Sequence, residues 1–445
     1  MRQILQARSS PDRRLERTVS EAMKLKTEKL QSFLGLAETL WLQISIAFLL
    51  VLGLEICADG YYSLFPRQYE DPMLQAQCFR DQSWSKEYFH ELHACLPRIQ
   101  WNPYNYWRLK DFHGRYVNVN VDGIRRTWRQ PDLNGLDSRK RRIFMFGGST
   151  MFGNGARDEY TIPSLVARHL ATDSHLDVEV TNFGVPAFVN TQEFILLFEQ
   201  MRKGNKPDLV DFYDGANDVF SAFQNRVAGV TLDETAREQE FGVFNNSDAW
   251  PLYSLTLKTA LQHSALGSLA KRVVQRMRPD SYQIVDGRLV RSASLSESAD
   301  EGLAAETAKF YMANVMTIQQ IGQQSGFKSL FYLQPEVYFK NHLTPFERKR
   351  QLPFANVDRF FRLANQAVIA EDTGGRVHDL SKVFADLSGE YFLDFCHLNE
   401  AGNEMVAEAM LPSVVSALRE LDAGSNPRAP LDSQRFRPAS TNVTH

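Results

Sequence analysis

The chain has 445 residues, 43% of them hydrophobic and 23% charged, so a sizeable core is possible and global disorder is excluded. The formal net charge is −3, whereas phosphate binding would want a concentrated basic face, which argues against nucleic acid as the main partner. The four cysteines, Cys57, Cys78, Cys95 and Cys396, form no CxxC pair, so neither a zinc ribbon nor a thioredoxin-like motif is indicated.

The first element is apolar. Leu40–Leu54 is interrupted only by Gln43 and Ser45, and extension to Phe33 and Ala58 supplies the ~20 residues that span a bilayer. Tyr61, Tyr62 and Phe65 follow, as suits a headgroup boundary. The preceding stretch is too long for an ordinary signal-peptide n-region, and Glu55 and Ile56 replace the small residues a lipoprotein site needs before Cys57. The reading is an uncleaved anchor over 33–58. Residues 1–32 are rich in Arg and Lys, which puts them in the cytoplasm and the rest of the chain outside it, in a periplasm-like compartment.

Residues 59–140 form an aromatic-rich extension, with a short strand expected at Arg115–Val121 before the turn Asp122-Gly123. His90, His93 and Cys95 lack a fourth ligand and tetrahedral spacing, so an exposed amphipathic helix is expected there, and no metal or cofactor. Cys78 and Cys95 lie on the oxidising side, where a disulfide would staple the extension.

From residue 141 to 422 strands and helices alternate. Strands are expected at 142–146, 178–183, 209–213, 329–333 and 376–380. Helices are expected at 162–170, 192–202, 304–324, 357–370 and 400–418. Short, fully apolar strands argue a parallel sheet covered on both faces. Residues 221–300 are too many for an ordinary crossover and read as an insertion or lid, with helical character at 252–277. Residues 423–445 read as a disordered polar tail.

Ligands of open parallel sheets bind at the carboxyl ends of the strands. Three strands here end in Gly147-Gly148-Ser149, Asn182-Phe183-Gly184 and Asp214-Gly215-Ala216-Asn217-Asp218, and Asp394-Phe395-Cys396-His397 precedes the last helix. Each piece alone is ordinary turn or cap chemistry. Acyl transfer gives each a role, with Ser149 as nucleophile, His397 as its base and Asp394 to orient the imidazole. The Ser149 N–H, Gly184 N–H and Asn217 amide are candidate oxyanion donors. Arg125, Arg126 and Asp214 are candidates for substrate binding, with a surface turn as the alternative for the arginines.

On these four blocks, residues 141–420 resemble the SGNH (GDSL-like) hydrolases. One departure stands out: Gly148 occupies the position where the family commonly has Asp. The resemblance implies an α/β, flavodoxin-like three-layer sandwich and Ser–His–Asp ester hydrolysis. It leads to a membrane-anchored serine esterase acting on an acylated cell-envelope glycan or lipid. An O-acyltransferase using the same residues, and a non-catalytic glycan-binding or scaffold protein, are the alternatives.

Overall fold

The computed structural model describes residues 11–64, 71–129, 140–234 and 297–423 except 353 and 355, with scattered positions between 237 and 291. The chain divides into two compact units, one of 1–69 with 248–289 and one of 70–247 with 290–445.

The first unit contains a continuous helix, Pro11–Leu64, of 54 residues. Within Val19–Gly60 an 18-residue window has a mean hydropathy of 2.1 and is not buried, so by length and composition the helix is sufficient to cross a bilayer. The helix starts well before the span expected at 33–58, because residues 11–32 are dominated by strong helix formers. The Glu55 carboxylate accepts the backbone N–H groups of Ala265 and of Leu266, the latter at 3.0 Å. The middle of the segment 221–300, residues 248–289, groups with this helix. The helical stretch expected at 252–277 lies, scattered positions apart, outside the described residues, as does 424–445.

The second unit opens with the extension. Ser85–Cys95 is a helix with Tyr88, Phe89, Leu92 and Cys95 on a buried face, not the exposed helix expected. That face packs with Phe79, Leu109, Val117 and Val119 and reaches Phe152 and Leu393. Two antiparallel pairs follow, β1 (Ile99–Asn102) with β2 (Tyr106–Leu109) and β3 (Phe112–His113) with β4 (Asn118–Val119). Glu91 holds the intervening turn by accepting Arg115, Tyr116 and Val117 N–H at 2.7, 2.8 and 3.0 Å.

The five-stranded parallel sheet comprises β5 (Arg141–Gly147), β6 (Val178–Asn182), β7 (Leu209–Asp214), β10 (Lys328–Leu333) and β11 (Val377–Asp379). A separate two-stranded sheet pairs β8 (Tyr282–Val285) and β9 (Arg288–Arg291). The large sheet has the order β6-β5-β7-β10-β11, the flavodoxin-like 2-1-3-4-5 arrangement. Helices Ile162–Thr172 and Glu400–Ala423 pack together on one side; Asn190–Arg202, Ala216–Asn225, Glu297–Ser325 and Val357–Glu371 pack together on the other.

Ring stacking joins the strands. Phe146 lies opposite Phe212 and Phe212 opposite Phe331 in register. Their centroids are 5.0 and 5.4 Å apart, and Phe183 stacks on Phe146 at 5.1 Å. The spacing is that of neighbouring strands, so each ring covers the next, at about 0.5–1.5 kcal/mol per pair beyond area burial.

All four cysteines are free, so the expected Cys78–Cys95 bridge is absent. The apolar cluster around Cys95 supplies the cohesion expected of that bridge, and burial pushes the Cys78 and Cys95 thiols up to about 12 and about 11. Alkylation of the denatured, unreduced chain is expected to modify all four cysteines; only two modified thiols would restore the bridge.

Candidate active site

The order 2-1-3-4-5 reverses direction between β5 and β7, and a crevice opens at the carboxyl ends of such a strand pair. Ser149 leaves β5 at this point and Ala216–Asn225 leaves β7. Gly148 caps the short helix Ser149–Phe152, so Ser149 takes its first position, where its N–H has no intrahelical acceptor.

Glycines allow three backbones to meet here. A Cβ on Gly147 would lie 2.6 Å from Met151 Cβ and 2.9 Å from Tyr213 O; one on Gly184 would lie 2.3 Å from Phe152 N. At Gly148 the obstacle is Asn217, whose Nδ2 would be 2.2 Å from such a Cβ. A side chain at position 148 therefore requires the Asn217 side chain to shift.

His397 reaches this turn from a tight loop. Phe392 and Leu398 bridge antiparallel, Leu393 N–H donates to His397 O at 2.8 Å and Asn399 N–H to Tyr391 O at 2.9 Å. Asp394 organises the loop end: Oδ1 accepts Cys396 N–H at 3.0 Å and His397 N–H at 2.8 Å, and Oδ2 lies 2.6 Å from His397 Nδ1. His397 Nε2 is 2.7 Å from Ser149 Oγ. An ionised carboxylate accepts only, so Asp394 assigns the ring proton to Nδ1 and leaves Nε2 to accept from the hydroxyl. Burial alone would raise the Asp394 carboxyl, but the His397 ring and the loop amides hold it below the usual range.

Of the three oxyanion candidates, one is already engaged. Gly184 N–H donates to Asn182 Oδ1 at 2.9 Å, while Asn182 Nδ2 donates to Met151 O at 3.0 Å. Gly184 is therefore a packing glycine whose amide braces the Ser149 helix. Asn217 Nδ2 donates one proton to Phe188 O at 2.6 Å, and an amide nitrogen carries two.

The substrate-binding candidates also resolve differently. Arg125 is fully buried; its guanidinium donates to Asp158 Oδ1 and to the Phe152, Gly153 and Ala156 carbonyls at 2.8–3.1 Å. It ties down the segment after Ser149 and has no path to a ligand. Arg126 is half-exposed and its Nε lies 3.3 Å from Oδ2 of the buried Asp158, an ion pair at the protein's edge. Asp214 is 4% exposed and accepts Asn190 Nδ2 at 2.7 Å. It belongs to a buried carboxyl cluster with Glu193 and Asp218.

Cys396 is buried and its Sγ lies 3.8 Å from His397 Nδ1. Burial, with Asp394 and Glu336 nearby, pushes its thiol well up, so it stays protonated and poorly nucleophilic. The donor atoms of Asp394, Cys396 and His397 lie close enough together for a metal, as do those of His169, Glu404 and Glu408. Hydrogen bonding accounts for both groups, since His169 is 2.6 Å from Asp173 and from Glu404 at its two nitrogens.

No family model and no curated protein matches the chain. Among solved structures, the acetyl xylan esterase AlAXEase overlaps 61% of this chain and 99% of its own length, at 17% identity and a TM-score of 0.34. A carbohydrate acetylesterase family member from Sinorhizobium meliloti overlaps 63% and 100%, at 12% identity and 0.35. A member of the lipolytic protein G-D-S-L family from Veillonella parvula overlaps 62% and 98%, at 11% and 0.34. TM-scores at this level decide nothing about activity. The chain's own strand order is that of a flavodoxin-like α/β sandwich, and at its strand ends Ser149 and His397 meet.

Two outcomes follow from this geometry. Gly148→Asp, although it restores the common family residue, is expected to slow phosphonylation of Ser149 at least roughly tenfold, because Asn217 and the turn must separate. Faster labelling of that variant would contradict the packing. The carboxyl cluster gives a pH signature. Burial pushes Asp214 up to about 6, against the hydrogen bonds of Glu193 and Asn190. Burial and then the Asp214 charge hold Glu193 and Asp218 well above the carboxylate range. The folded state therefore binds these protons more tightly than the unfolded chain, whose Asp titrates near about 3.9, and stability falls as pH rises through about 6. Melting temperatures between pH 4 and 7 are expected to drop less in Asp214→Asn than in the wild type; equal slopes would exclude this source.

Proposed function

We propose that the chain is a membrane-anchored serine ester hydrolase of the SGNH type. The observation that carries this reading is the continuous hydrogen-bonded series Asp394–His397–Ser149 at the strand-order reversal. A serine hydroxyl becomes a competent nucleophile when a neighbouring base takes its proton as it attacks, and His397 Nε2 is at hydrogen-bond distance from that proton. Ser149 Oγ bonds to the ester carbonyl carbon, the proton passes to Nε2 and the carbonyl oxygen becomes an oxyanion. Collapse of that intermediate breaks the bond to the leaving alkoxide, which takes the proton back from His397. Water then enters by the same route and releases the acid.

Asp394 stabilises the imidazolium formed midway and keeps the ring in register. With the Gly184 amide engaged, the Ser149 N–H and the Asn217 side chain are the oxyanion donors. The long apolar helix supports attachment to a membrane, with the charge bias of residues 1–32 favouring a cytoplasmic N-terminus. Attachment places the enzyme beside its substrate, an acylated glycan or lipid of the cell envelope.

Hydrolysis of p-nitrophenyl acetate by the full-length chain in detergent tests the reading. Ser149→Ala and His397→Ala are expected to fall to background, each costing nearly as much as both together. Asn217→Ala is expected to lose about 10²–10³ in kcat. Unchanged hydrolysis by Ser149→Ala would sink the mechanism.

A further inference from the structure

Lys340 and Glu347 form an ion pair whose side chains are both 0% exposed. Lys340 Nζ donates to the two Glu347 carboxylate oxygens at 2.7 and 2.6 Å and also to Gly389 O. The carboxylate accepts three backbone amides as well: Thr344 N–H at 2.9 Å, Tyr391 N–H at 3.0 Å and Phe392 N–H at 3.1 Å. Burial opposes the charge on Glu347, but Lys340 and these amides outweigh it and hold the carboxyl below its ordinary range.

Burying two charges is a poor way to gain stability, because desolvation offsets most of the attraction; apolar side chains of similar volume serve as well. What apolar side chains cannot do is fix backbone groups at named positions. This pair fixes three, at Gly389, Tyr391 and Phe392, and the last is two residues before Asp394. From there a short antiparallel ladder runs straight to the base: Phe392 opposite Leu398, and Leu393 N–H on His397 O at 2.8 Å. Other contacts hold the far side of the loop, with Arg350 Nε on Leu393 O at 3.0 Å and Val337 N–H on Phe395 O at 2.8 Å.

The local sequence explains how the clamp is built. Thr344-Pro-Phe-Glu347 starts the helix Pro345–Lys349 with reciprocal bonds between Thr344 and Glu347. In an exposed helix that would be the whole role of the glutamate. Here the same carboxylate, having capped its own helix, turns its remaining acceptor capacity to a loop segment some forty-four residues later.

We infer that the Lys340–Glu347 pair is a positioning device for catalysis: it sets the base of the 389–399 loop and thereby the distance from His397 Nε2 to Ser149 Oγ. Neither residue touches the reacting atoms. The inference rests on the reading of Ser149 as nucleophile and His397 as base, and the test separates the two.

The full-length chain in detergent is treated with a fluorophosphonate over a range of concentrations, and amide exchange of the 389–399 peptide is followed by mass spectrometry. In Lys340→Met/Glu347→Leu, exchange across 389–399 is expected to rise and the maximal phosphonylation rate to fall about 10²-fold, the loss typical of a misplacement of about 1 Å. The half-saturating concentration should stay unchanged, a split that general loosening of the fold would not give. Lys340→Met/Glu347→Gln keeps one carbonyl to accept from Tyr391 and Phe392, so it should recover much of the rate; it also keeps the comparison readable if the Leu variant does not fold. Wild-type exchange and a wild-type maximal rate in a folded Met/Leu variant would overturn the inference. Absence of labelling in the wild type would instead refute the nucleophile, while the exchange comparison would still decide whether the pair holds the loop.

Discussion

The hydrogen bond from Ser149 Oγ to His397 Nε2 joins residues 248 positions apart, and much of the second unit serves to make it possible. Neither partner sits on a long element. Ser149 begins a helix of four residues, and His397 lies in a loop between the last strand and the last helix. Short elements have little stiffness of their own, so the geometry must be imposed from around them. The parallel sheet supplies the frame, since β5 and β7 are in direct register and their carboxyl ends cannot move independently.

Two buried cations complete that frame. Arg125 collects the carbonyls of Phe152, Gly153 and Ala156, and with Asp158 it fixes where the Ser149 helix ends. Lys340, through Glu347, fixes where the His397 loop begins. In both cases a charge is held among backbone groups, where its directional bonds determine position more than they add stability. The aromatic-rich extension has a similar office: Tyr88 OH accepts Gly155 N–H at 2.8 Å, and the cluster around it packs on both Phe152 and Leu393. A segment that looked like an irregular preface thus touches both halves of the site.

The strands β5, β7 and β10 were the most legible, because apolar runs ending in glycine or a turn are written locally. So was the juxtaposition of Ser149, Asn217, Asp394 and His397, because strand ends of a parallel sheet share an edge. What escaped was settled by distant partners. Nothing around Arg125 announces that its guanidinium is buried, since the carbonyls that receive it are some thirty residues away. The capture of Gly184 N–H by Asn182 turns a proposed donor into a brace, a difference of one side-chain rotamer that no pattern records. Helix Ala216–Asn225 hid behind Gly215-Ala216-Asn217-Asp218, which has turn composition. The clamp did leave a trace, the Thr344-x-x-Glu347 signature, but that signature alone foretells only a helix start.

The central claim, that Ser149 is the nucleophile, is tested most directly by finding where a fluorophosphonate becomes attached. Peptide mass spectrometry of the labelled wild-type chain should locate the adduct on the tryptic peptide containing Gly147-Gly148-Ser149, on the Ser149 side chain. No adduct, or one carried by Cys396 or another residue in its place, would contradict the account.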